Sequence, residues 1–195
     1  MTYLLDLLQG LGIAAAIGIR PFLPTLLVGA LASRNAGLDF GGTSFAFLEK
    51  PGFLLAVLLV VFVLTLVERR TGDVTRTQVG LALIALLAVA LGALEAAGSI
   101  ADHSRTWWPG IVVGIAAAAL GFYASRSLFG RVRARLDSAT ASALPIYAEG
   151  AALVAAGLAV LLPPLSILIV LGLAWLLLGS RRRAGEKYAG LRILR

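Results

Sequence analysis

The sequence predicts an all-α fold, a polytopic transmembrane helical bundle, and three observations predict it. Of its 195 residues, 59% are hydrophobic and 14% charged, where a soluble domain carries roughly a quarter charged residues. The mean hydropathy is +0.94. The apolar residues are gathered into six stretches parted by short polar connections, and most approach the roughly 20 residues that cross a bilayer as helix. Inside a bilayer only helices and closed barrels satisfy every backbone group, and runs of this length read as helix.

The first stretch covers residues 3–32 and is interrupted by Arg20-Pro21-Phe22-Leu23-Pro24. A continuous helix of that length reaches about 45 Å, more than a hydrocarbon core of roughly 30 Å requires. Two prolines three residues apart also remove backbone donors and clash with preceding carbonyls. The segment is therefore broken between Ile19 and Thr25. It is either one kinked, tilted span or a re-entrant hairpin, and the side of the N-terminus depends on which. The other segments are 52–67, 79–98, 109–124 (opened by Trp107-Trp108-Pro109-Gly110), 141–162 and 164–179, with Pro163-Pro164 between the last two. Residues 180–195 form a basic tail, and the whole chain reads as one integral membrane domain. With no basic residue ahead of the first apolar stretch, a cleaved signal peptide is not expected.

Charge sets the orientation. Thirteen of the 17 Lys and Arg residues fall in the connections after the second and fourth segments and in the tail, and only Arg34, Lys50 and Arg105 fall in the alternate connections. That asymmetry predicts a cytoplasmic C-terminus in a bacterial plasma membrane. The bacterial origin is inferred from the preference for Arg (15) over Lys (2) and from abundant Ala, Leu and Gly.

The composition also excludes chemistry. Cysteine is absent and histidine single, so no disulfide framework, metal site or cofactor site is expected. Neither a phosphate loop, a nucleophile elbow nor HExxH is present, and no enzymatic activity is predicted. The arginine-rich tail has no folded reader beside it and reads as a membrane anchor, not as a nucleic-acid surface.

Arg20 is the most informative position. A charge at bilayer depth must face protein or water. It is either an anion-binding group beside the helix start at Pro21, whose first amides point the same way, or one half of a structural ion pair. Glu149, in the run Pro145-Ile146-Tyr147-Ala148-Glu149-Gly150, is its natural partner. The candidate binding set is therefore Arg20, Pro21, Pro24, Tyr147 and Glu149. Glu95 is expected near an interface, facing a cavity or wet, and Asp102 and His103 in an exposed connection. Gly110, Gly114, Ala118 and Gly121 make a small-residue stripe that lets another helix approach closely, most naturally inside the bundle.

The run Gly18-Ile19-Arg20-Pro21-Phe22-Leu23-Pro24, the Val67-Glu68 end of the second segment and Ala148-Glu149-Gly150 resemble the bacterial membrane family catalogued as domain of unknown function (DUF) 4126. The resemblance covers most of the chain and implies a small polytopic protein with an early proline element and a late carboxylate. The sequence departs from that pattern at Gly150, where an acidic residue often follows the glutamate. Pro21-Phe22-Leu23-Pro24 with the following Leu-Leu-Val-Gly-Ala-Leu-Ala is similar to the re-entrant segments of DedA-type lipid-carrier transporters, as an analogy of element. Two functions follow as expectations: a small secondary transporter or lipid-carrier-handling protein with an Arg/Glu site, or a non-catalytic membrane scaffold or assembly factor in which the pair is structural. The expected partners are membrane lipids, an anionic small molecule or lipid, and a second copy of the chain.

Overall fold

The computed structural model describes residues 2–71, 77–104 and 106–189, with side chains for all of these except 2, 68, 69, 71, 138, 139 and 180–189. The basic residues Arg69, Arg76 and Arg105, and those beyond position 180, lie outside the described side chains. Among the described residues there are helices and connections and no strand: α1 Thr2–Ile19, α2 Phe22–Ala32, α3 Pro51–Thr71, α4 Gln78–Ala101, α5 Trp108–Arg133, the short α6 Ser138–Ala141, α7 Leu144–Leu161 and α8 Leu165–Ala189. The helices α4, α5 and α7 are long and apolar enough to cross a membrane, and α1, α2, α3 and α8 contain shorter apolar stretches. Large apolar side chains such as Leu59, Phe62, Leu86, Leu168 and Trp175 face outward, as they must where the surrounding solvent is lipid.

The centre is α1, packed between α4 and α5, with α7 and α8 closing its other side. Residues 12–18 of α1 are all buried, which suits a helix apolar all round. Small residues make the approach possible. A Cβ on Gly10 would stand 3.0 Å from the Ala96 backbone, and one on Gly114 2.7 Å from the Gly92 carbonyl. Gly121 meets the Ala15 carbonyl and Gly18 meets Ala118. The stripe Gly110, Gly114, Ala118 and Gly121 is thus an internal seam that seats α5 on both α1 and α4, with lipid-style packing of backbone on backbone.

The first segment folds back. Gln9, midway along α1, donates from Nε2 to the Gly37 carbonyl at 2.7 Å and to the Val160 carbonyl at 3.0 Å. Gly37 lies just past the end of α2, so α2 runs antiparallel to α1, and the single tilted span is set aside. At 18 and 11 residues, the arms are about 27 Å and about 16 Å long by the helical rise. The break falls at Arg20 and Pro21. Pro24 instead sits inside the first turn of α2, where a missing donor costs nothing because first-turn amides have no intrahelical partner. The Thr25 hydroxyl donates to the Pro21 carbonyl at 2.7 Å and ties that turn down.

The connection 33–50 is also more ordered than its polar, glycine-rich sequence suggests. Phe40 and Leu48 are fully buried in it, the Phe40 ring lies over Gly98, and the Phe40 amide donates to Glu49 Oε2 at 3.2 Å. Three positive-φ residues, Asn35, Gly37 and Gly42, give it its turns. At other boundaries helix replaces predicted connection: α5 runs on to Arg133, past the expected end at 124, and α8 continues to Ala189 through part of the basic tail.

Candidate functional site

At the end of the bundle where α1 stops, a cavity of about 310 Å³ opens between α1, α4, α5 and α7. Each wall has a local cause. Pro21 halts α1 and leaves Ile19 and Arg20 at the rim. Leu81 and Ile84 come from the first turns of α4. On α5 the residues Phe122, Ser125, Arg126, Phe129 and Arg133 follow the three- and four-residue spacing that puts side chains on one helical face. Leu144, Pro145 and Ala148 open α7. The described lining holds three arginines, Arg20, Arg126 and Arg133, and no carboxylate.

Glu149 stands just beside this lining. Its Oε1 is 3.7 Å from Arg20 Nε, with the two side chains 31% and 32% exposed. The distance makes an ion pair, not a hydrogen bond. Glu149 Oε2 is buried with no hydrogen-bond partner among the described residues. The start of α2 adds to the positive end of the site. Pro21 lines the cavity, and no side chain caps the helix behind it, so the α2 dipole and first amides add their partial positive charge beside Arg20.

The structure therefore brings Arg20 and Pro21 together with Glu149, which lies well over a hundred positions further along the chain. Two other candidates go elsewhere. Tyr147 is 70% exposed on the outer face of α7, because a residue two positions from Glu149 points to the opposite side of a helix. Pro24, in the first turn of α2, is fully buried and does not line the cavity. Arg126 and Arg133 belong to the site although the sequence places them in a connection. Their spacing with Phe129 becomes informative once α5 is known to extend that far.

The family model described as "Domain of unknown function (DUF4126)" matches residues 7–183. The chain belongs to the DUF4126 family. Its matched region contains the proline break, all three cavity arginines and Glu149. No curated protein and no solved structure matches the chain.

A second polar group lies at the opposite end of the bundle. The Ser99 hydroxyl is 3.1 Å from the Asp6 carbonyl and 3.0 Å from Gln9 Oε1, within donating reach of each. Asp6 Oδ2 is 3.3 Å from His103 Nδ1, and Asp102 Oδ2 is 3.5 Å from the same nitrogen. Glu95 is fully buried, neither wet nor lining the cavity, and both its oxygens lack hydrogen-bond partners among the described residues. No group of three or more His, Cys, Asp or Glu side chains is placed to hold a metal ion among the described residues.

Proposed function

We propose that this is a small, non-catalytic secondary carrier for an amphiphile with an anionic head, working in a bacterial plasma membrane with the arginine-lined end toward the cytoplasm. The observation that carries the reading is the lining of the cavity: three guanidiniums with no carboxylate among them, set in walls of Phe, Leu, Ile and Pro. Guanidinium forks match phosphate and carboxylate oxygens, and apolar walls suit the adjoining chain. A volume of about 310 Å³ sits at the lower end of ligand-site volumes and suits a head group better than a whole lipid. Glu149 then competes with the incoming anion for Arg20. Neutralising its carboxyl with a proton would release the guanidinium, which gives a simple coupling of anion capture to proton uptake. The orientation rests on the positive-inside asymmetry of the basic residues.

The test is a proteoliposome assay with head-matched fluorescent lipids, phosphatidylglycerol against phosphatidylcholine, quenched from outside by dithionite. The protein should accelerate exposure of the anionic lipid over the zwitterionic one, and the double substitution Arg20→Gln with Glu149→Gln should fold yet abolish that difference. Native mass spectrometry of the same samples reports binding separately. Retained phosphatidylglycerol without any acceleration would favour the scaffold reading, in which the half-buried Arg20–Glu149 pair is structural. No preference in either assay removes the anionic-ligand reading altogether.

A further inference from the structure

We propose that Glu95 is a proton-binding site, loaded from the end of the bundle that carries His103. The site stands apart from the arginine-lined cavity and does not depend on what that cavity binds.

Burial and lack of partners carry the argument. Glu95 is 0% exposed, and neither carboxyl oxygen has a hydrogen-bond partner among the described residues. The neighbouring helices show no charge to offset it. On α1 the titratable residues are Tyr3, which is exposed, and Asp6, which lies against His103. The charges of α5 are Arg126, Arg131 and Arg133, all in its last turns at the far end, and α2 has none. The 33–50 connection packed against Gly98 holds Arg34, Asp39, Glu49 and Lys50, and none of them forms an ion pair with Glu95 among the described residues. Glu149 on α7 is engaged with Arg20. A carboxylate without donor or cation is not sustained in such a place, and uptake of a proton removes the charge.

A polar line leads to it. Ser99 follows Glu95 by four residues, on the same face of α4 and about 6 Å along the axis. The Ser99 hydroxyl meets Gln9 Oε1 and the Asp6 carbonyl. Asp6 meets His103, whose side chain is 51% exposed. The His103 imidazole, the Asp6 carboxylate and the Ser99 hydroxyl can each give and accept a proton, whereas the Asp6 carbonyl and Gln9 Oε1 only accept. Loading of Glu95 from this end therefore proceeds through water joining these groups. At Glu95 one O–H bond forms and one negative charge disappears, with no other reactant needed.

Infrared difference spectroscopy on the purified full-length protein tests this directly. The expected result is a protonated-carboxyl C=O band at neutral pH that shifts in frequency in Glu95→Asp, disappears in Glu95→Gln and persists in Glu149→Gln. Glu95→Asp keeps the assignment possible even where Glu95→Gln folds poorly. On transfer to D₂O the band should shift as the acid exchanges, and Asp6→Asn should slow that exchange several-fold. Absence of the band, or its indifference to both Glu95 substitutions, overturns the proton site. A band that never exchanges identifies an inert buried acid and overturns it equally. Unchanged exchange in Asp6→Asn overturns the assigned route.

Discussion

Arg20 and Glu149 each keep about a third of their side-chain surface exposed, so neither carries the full desolvation cost of a buried ion, and their mutual attraction is weaker than in a dry core. The pair therefore holds α7 to the α1–α2 break without locking it. Either Arg20→Gln or Glu149→Gln should lower stability by about 1–3 kcal/mol, between the exposed and fully buried limits for breaking one partner of a pair. Exchanging the two charges should recover part of that loss, because the partners are coupled. Thermal unfolding in detergent measures both effects, and a charge exchange less stable than either single variant would show that the surroundings, not the pair, fix these charges. That the two residues meet is legible in the sequence, since each is an isolated charge in an apolar run and each needs the other. Arg126 and Arg133 are not legible in the same way. Basic residues after an apolar stretch read as membrane anchors, and nothing local shows that the helix continues through them.

The α1–α2 hairpin is the element that brings a polar turn into the bundle beside the cavity. Its break is written in Arg20-Pro21, but its direction is not. Kink and reversal place the same prolines in the same order, and the choice is made by contacts far away in the chain. Gln9 decides it by gripping the carbonyls of Gly37 and Val160, and a glutamine in an apolar run gives no hint of those partners. The 33–50 connection escaped for a related reason. Its Gly and Asp residues mark turns correctly, while Phe40 and Leu48 become core only because Gly98 leaves room on α4. Gly37 is where these constraints meet, with φ +89° and a Cβ position 2.9 Å from Val160 Cγ1. Gly37→Ala should therefore cost about 1–3 kcal/mol through left-handed strain and the forced contact. The same substitution at Gly52, where a Cβ meets nothing within 4 Å, should change stability by less than about 1 kcal/mol. Equal melting temperatures for the two variants would contradict the hairpin closure described above.

Across the whole molecule, the fold-back changes which end carries the N-terminus. Asp6 against His103 sets the start of α1 at the same end as the connection between α4 and α5. The arginines of α5 lie at the other end, with the cavity. The all-helical class follows from composition and from the length of the apolar runs, whereas this parity depends on one turn near Pro21. In the proposed orientation, which rests on the positive-inside asymmetry, the arginine end faces the cytoplasm and the N-terminus lies outside. Native cysteine is absent, so single cysteines report without background. Tyr3→Cys and His103→Cys, both exposed, should react with a membrane-impermeant maleimide on intact bacterial cells expressing the protein. Arg135→Cys, also exposed, should react only after permeabilisation. Labelling of position 135 alone from outside would invert the bundle while preserving the hairpin. Labelling of 3 and 135 together, with 103 protected, would place the N-terminus at the arginine end and require α1 and α2 to form one span, against the Gln9–Gly37 closure.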